Sequence, residues 1–198
     1  MRTRGVSRGA PGRRAFTLVE LLISFSALLI VLLGFSRMLI STRMASSTTH
    51  EATQAKEAAR GMLEVLQGTR FSQVYALYNA NPADDPAAPV PEFLAGAGFR
   101  VPGPQRYEAN DPSHDALKPP AGLARCGQIL FPEANGVLSE NVHLPQFGWV
   151  DLDLNGDGDH DDADVSADYK FLPVVVRVSW DGAGVPGTVE FKTVIANF

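Results

Sequence analysis

Cysteine is nearly absent from the 198-residue chain. Cys126 stands alone, so no disulfide can close within the chain, and a free buried thiol is its expected state. A folded domain must then be held by burial, with metal as the other available clamp. Catalytic signatures are missing as well. His50, His114, His143 and His160 are scattered, and no Gly-x-Ser-x-Gly, phosphate-loop or dinucleotide-binding pattern occurs. Asp84/Asp85 and Asp111/Asp115 fall in proline-rich stretches and read as turn chemistry. No enzyme is expected.

Basic charge is scarce beyond the first 15 residues. The whole chain carries a formal net charge of -5, but residues 1–15 hold five of its 17 basic residues (Arg2, Arg4, Arg8, Arg13, Arg14) and no acid. Without them 12 bases face 22 acids, a balance of -10. A surface so acidic offers no phosphate-binding patch, which argues against nucleic acid as a partner of the exposed part.

What the chain has in plenty is one apolar run. Arg13-Arg14-Ala15-Phe16-Thr17-Leu18-Val19-Glu20-Leu21-Leu22-Ile23 continues without further charge to Phe35, and Arg37 closes it. As a helix, this run is about the 20 residues that a bilayer core requires. The flanking arginines place the amino terminus in the cytoplasm and the remainder across that membrane. A secretory signal peptide has a shorter apolar region followed by a small-residue cleavage site, and Arg37-Met38-Leu39-Ile40-Ser41 does not read as one. Glu20 is the exception inside the run. A carboxylate there costs roughly 2.5–3.5 kcal/mol on insertion scales and marks a site with a partner, unless it lies near enough to the end to reach the headgroups.

The arrangement Arg-Arg-Ala/Phe-Thr-Leu-Val-Glu-Leu-Leu resembles the type IV prepilin signal. The resemblance implies cleavage by a prepilin peptidase between Ala15 and Phe16 on the cytoplasmic side, and methylation of the new amino terminus at Phe16. It also implies that Glu20 pairs with the terminal amine of a neighbouring subunit in an assembled filament. Ala15 stands where the family nearly always has glycine. The protein implied is a minor pilin or pseudopilin, a subunit of a type IV pilus or type II secretion filament. It would be held in the inner membrane by a single pass and then move into a periplasmic or extracellular filament. Its partners would be the peptidase, the inner-membrane assembly platform and other pilins. The alternative is a signal-anchored membrane protein whose extracytoplasmic part binds calcium and never assembles.

The expected fold class is α+β: a long amino-terminal helix packed on a small antiparallel sheet. The expected segments are a leader at 1–15, a membrane or filament-core helix at 16–36, an amphipathic continuation at 37–78 and a loop-rich β head at 79–198. Thr53, Ala55, Ala58, Ala59, Met62, Leu63, Val65 and Leu66 form an apolar stripe at three- and four-residue spacing, with Glu51, Lys56, Glu57, Arg60 and Glu64 largely off it. Ser46-Ser47-Thr48-Thr49 forms helix poorly and is a point for the helix to loosen. Gly68 is the candidate cap, and one or two turns follow from Phe71 to Tyr78. Strands are expected at Gln128–Phe131, Val137–Leu144, Gly148–Leu154, Lys170–Trp180 and Thr188–Ile195, with a short strand or turn in Phe93–Val101. The last two form a hairpin across a Gly-rich turn. That ending, Ser-Trp then turn then strand, looks like the carboxyl end of PilV-like minor pilins.

The acidic loop 151–164 is the densest chemical signal, with seven aspartates in 14 residues. Calcium takes six to eight oxygens, and loops supply them at alternate positions around a glycine turn. One register uses Asp153, Asn155, Asp157, Asp159, Asp161 and Asp164, and resembles the dockerin-type Asp-x-Asn-x-Asp-Gly loop. The other begins at Asp151 and uses Asp153, Asn155, Gly156, Asp157, Asp159 and Asp162. Neither has the glutamate usual at position twelve. Structural calcium is expected here, against a plain solvated acidic turn. His160 does not fit a site otherwise made of oxygen.

Overall fold

The computed structural model describes residues 17–79, 81, 93–94, 98–103, 115–142, 152–182 and 185–197. The chain divides between Arg43 and Met44 into two units. Helix α1, Leu18–Gly68, is continuous across that division. The serine and threonine cluster does not loosen it, because Thr48 and Thr49 hydroxyls donate to the carbonyls of Met44 and Ala45, each at 3.0 Å. Such i−4 bonds satisfy the hydroxyls within the helix. Gly68 is the last helical residue rather than a left-handed cap. The end is closed instead by Thr69, whose N–H donates to Leu66 O at 3.2 Å and whose hydroxyl donates to Val65 O at 2.8 Å.

The two halves of α1 carry different surfaces. From Leu18 to Met44 every large apolar side chain is exposed. In the second half, Glu51, Gln54, Ala55, Ala58, Ala59, Met62 and Leu66 are buried. Their spacing is that of one helix face. Two of them, Glu51 and Gln54, are polar, which corrects the sequence reading of Glu51 as a solvated residue. Ser47 supplies one of the Glu51 hydrogen bonds, its hydroxyl donating to Oε1 at 3.1 Å. Val65, assigned to the stripe, is exposed at 44%.

Beyond α1 lies the short helix α2, Phe71–Tyr78, then strands β1 Phe93–Leu94, β2 Gly98–Phe99, β3 Gly127–Leu130, β4 Glu133–Ala134, β5 Val137–Leu138, β6 Phe171–Trp180 and β7 Gly187–Ala196. Five of these form one antiparallel sheet in the order β1-β2-β3-β6-β7, while β4 and β5 make a separate hairpin. The fold is therefore α+β and pilin-like, a long amino-terminal helix packed on a small antiparallel sheet. Strand β7 alternates as its sequence implies, with Val189, Phe191 and Thr193 half-buried and Glu190, Lys192 and Val194 exposed. Strand β6 does not alternate. Leu172 through Val176 are all buried, so both faces of the strand are covered there. Pro173 is tolerated because β3 reaches only as far as Val175, so β7 alone flanks the chain there. The strand expected at Val137–Leu144 is shorter than expected, and most of the one expected at Gly148–Leu154 lies outside the described residues. The first stops at Leu138, Leu152–Leu154 is irregular, and residues 143–151 lie outside the described residues.

Two aromatic rings cross neighbouring strands at glycine. Phe99 pairs with Gly127, and a Cβ added at Gly127 would meet the Phe99 ring at 2.5 Å. Trp180 pairs with Gly187, where a Cβ would come within 2.2 Å of the indole. Both glycines are there because a ring occupies the space of a side chain. Above the sheet, Tyr75 meets Phe131 edge-on at 5.4 Å between centroids, and Phe71 meets Tyr169 at 4.9 Å.

Asp115 is not a turn residue. Its side chain is buried and ties two segments together, Oδ1 accepting from the N–H of Val101 at 2.5 Å and Oδ2 from that of Cys126 at 3.2 Å. Burial pushes its carboxyl above the usual aspartate value, opposed by those two N–H groups and by Arg125 and Arg100. Burial, and after it the neighbouring Asp115 charge, pushes the Cys126 thiol far up; its Sγ donates to Leu117 O at 3.3 Å.

Two outcomes follow. Asp115→Ala leaves two buried N–H groups without an acceptor and is expected to lower unfolding stability by about 2–4 kcal/mol, while Asp115→Asn, which keeps one acceptor oxygen, costs clearly less. Denaturant titration of the two variants checks the order. Cys126 is expected to resist a thiol reagent in the native protein and to react in full after denaturation, because the thiolate is the reactive form and the site excludes it.

Candidate functional site

Two parts of the chain carry candidate chemistry. At the amino-terminal end, Thr17 starts α1. Its hydroxyl oxygen accepts from the N–H of Glu20 at 3.3 Å, and its carbonyl accepts from the N–H of Leu21 at 3.2 Å. Thr17 thus caps the helix, and Glu20 sits in the first turn, where a negative charge complements the exposed N–H groups. Glu20 is exposed, on a helix whose neighbouring residues Leu18, Val19, Leu21 and Leu22 are exposed too. This stretch is long and apolar enough to cross a membrane. Ala15 and Phe16 lie outside the described residues.

The second part is the acidic loop, and its anchors are apolar. Leu154 and Val165 are buried at either end. Leu154 O accepts from the N–H groups of Lys170 and Phe171, at 2.7 and 2.9 Å, and Val165 N–H donates to Leu138 O at 2.9 Å. Between these anchors the chain turns at Gly156 and Gly158, with φ of 72° and 101°. Asp153 accepts from the N–H groups of both glycines, Oδ1 from Gly156 and Oδ2 from Gly158. Asn155 accepts from Asp157 N–H at 3.0 Å and donates its amide to Asp157 Oδ2 at 3.2 Å and Asp162 Oδ2 at 2.8 Å. Asp164 accepts from Ser166 N–H at 3.0 Å.

The electrostatics within the loop are uneven. A hydrogen bond from Asp159 N–H, helped by the Asn155 amide and the Lys170 charge, holds the Asp157 carboxyl below the usual aspartate value. The backbone and then the hydroxyl of Ser166 do the same for Asp164. Asp159 goes the other way. The N–H of Asp161 pulls its carboxyl down, but partial desolvation and the charges of Asp157, Asp161 and Asp162 together push it up.

One acidic residue that meets this loop was not legible from loop spacing. Strands β4 and β5 are joined by Asn135-Gly136, both with positive φ (54° and 83°), the conformation of a tight two-residue hairpin. The chain leaving β5 then runs beside the acidic loop. Glu140 N–H and the Ser139 hydroxyl both donate to Asp162 O, at 3.0 and 3.1 Å, and the Asn141 amide donates to Asp161 O. Glu140 is buried, and its Oε1 accepts from Leu154 N–H at 2.6 Å and Asn155 N–H at 3.3 Å. One carboxylate oxygen from each of Glu140, Asp159 and Asp162 lies within 4.8 Å of the other two. Of the residues named from spacing, the structure brings Asp159 into this group, with Asp162 from the alternative register. Asp153, Asp157, Asp161 and Asp164 are not part of it among the described residues, Asn155 borders it through its hydrogen bonds to Asp162 and Glu140, and Asp151 lies outside the described residues. The sequence signal that could have found Glu140 is the Asn-Gly hairpin, which folds Leu138-Ser139-Glu140 back toward the later loop.

Compared with known families, the chain matches the prokaryotic N-terminal methylation motif over residues 11–36. That interval contains Arg13 through Phe35. Together with the fold it supports a type IV pilin-like protein; members carrying this motif are structural subunits, and the motif implies processing by a prepilin peptidase and assembly with other pilins. No curated protein matches the chain, and no solved structure matches it.

Proposed function

We propose that the protein is a minor pilin or pseudopilin, a non-enzymatic subunit of a type IV pilus or type II secretion filament. The observation that carries this reading is the methylation motif at the start of a helix whose large apolar residues from Leu18 to Met44 are exposed. On this reading a prepilin peptidase cuts between Ala15 and Phe16, and the new amino terminus is methylated. The cytoplasmic leader leaves, and α1 stays in the inner membrane with the head on the far side. The assembly platform then moves the subunit into the filament, where its apolar half packs among like helices. Glu20 sets register by meeting the terminal amine of a neighbour. Pairing offsets the cost of burying its charge, and an unpaired carboxylate in that core is costly. The -10 balance of the processed chain suits a surface that faces solvent.

Mass spectrometry of protein purified from its native cells is expected to give a mature chain beginning at methylated Phe16. An intact Met1 supports instead a signal-anchored protein that never assembles. Glu20→Ala is expected to insert in the membrane at least as well as wild type, since it removes a cost of roughly 2.5–3.5 kcal/mol. Its incorporation into sheared filaments is expected to fall about tenfold or more, equivalent to roughly 1.4 kcal/mol per subunit. Undiminished incorporation removes the role assigned to Glu20.

A further inference from the structure

Glu140 Oε2 is buried and has no hydrogen-bond partner among the described residues, although Glu140 as a whole is only 8% exposed. Its other oxygen is fully used by Leu154 and Asn155 N–H groups. A buried carboxylate oxygen without a partner is expensive, and an acidic surrounding makes it more so. Here the surrounding is acidic, because Asp159 and Asp162 each bring an oxygen within 4.8 Å of a Glu140 oxygen. A bound cation relieves both costs at once. Oxygens that share one calcium, at bonds of about 2.3–2.6 Å, lie up to about 5 Å apart, which is the spacing found.

We propose that Glu140, Asp159 and Asp162 form a calcium site. Glu140, reaching in from the segment after β5, takes the part of the glutamate that the loop lacks at its twelfth position. The donor set is all oxygen and all anionic, which selects a hard divalent cation over zinc or copper. Asp159 is exposed, so water completes the coordination on its side. Asp153 and Asp164 do a different job. They hold the loop by accepting backbone N–H groups, and their removal affects its shape rather than the ion. The consequence is mechanical: the ion ties the β4–β5 hairpin to the chain that enters β6, two parts of the head joined otherwise by hydrogen bonds such as Val165 N–H to Leu138 O. The proposal is independent of whether the protein assembles.

The test uses the full-length protein in detergent, with calcium chloride against a chelator, followed by thermal unfolding and equilibrium dialysis with radioactive calcium. One calcium per chain is expected, and at about a hundredfold excess over the dissociation constant a rise in Tm of about 5–10 °C. Glu140→Gln and, separately, Asp162→Asn are expected to weaken calcium binding by about tenfold or more, while Asp164→Asn keeps the wild-type affinity. Asp162→Asn leaves the Glu140 anchor in place, so it decides the matter even if Glu140→Gln does not fold. Absence of bound calcium overturns the proposal. So does binding that survives both Glu140→Gln and Asp162→Asn, or a magnesium response equal to that of calcium.

Discussion

Everything in this molecule depends on the apolar half of α1 having no cover of its own. Seventeen large apolar side chains from Leu18 to Met44 are exposed along it. At about 1.5–3 kcal/mol for each one fully buried, the unrealised burial is on the order of tens of kcal/mol. That exceeds the roughly 5–15 kcal/mol by which a folded domain is normally stable. Residues 18–44 therefore need another apolar medium, either lipid or other helices. The rest of the chain is arranged around that need. Basic residues precede the run, one acid lies in its first turn, and the same helix continues into the head without a break.

The head solves the opposite problem with a single face of the same helix. Ala55, Ala58, Ala59, Met62 and Leu66 pack into a core that includes Leu172, Val174, Val176 and Val178 from β6. Small alanines let the helix come close to the sheet. With no disulfide available, the remaining clamps are polar and buried. Asp115 joins the segment at Val101 to the start of β3, and Glu140 joins the β4–β5 hairpin to the acidic loop. Each uses a carboxylate to accept backbone N–H groups that irregular chain would otherwise leave unpaired. This is how so loop-rich a head holds fixed positions.

Much of this was readable in the sequence, where the pattern is local. The α+β class, the helix and the β6–β7 hairpin follow from apolar periodicity at 3.6 and 2 residues. What was not readable depends on residues brought together from far apart. Glu51 looks like a solvated position until the head folds over it. Asp115 looks like turn chemistry because its partners, Val101 and Cys126, lie 14 and 11 residues away. Val175 and Pro173 break the expected alternation because both faces of β6 are covered at that point, a fact about how the head packs rather than about the strand's own sequence. In the acidic loop, spacing offered alternate aspartates as candidate ligands, whereas the carboxylate that meets Asp159 and Asp162 belongs to Glu140. Alternate aspartates there serve the backbone, and the buried carboxylate comes from Glu140 outside the loop.

The central claim is that the exposed half of α1 is buried against other subunits in the working state. Photo-crosslinking in native cells, with a crosslinking amino acid at Leu28, tests it most directly. The account predicts crosslinks to other pilin-type helices that appear only when the assembly machinery is active, with lipid adducts alone when it is not. Lipid adducts alone in both conditions would contradict it.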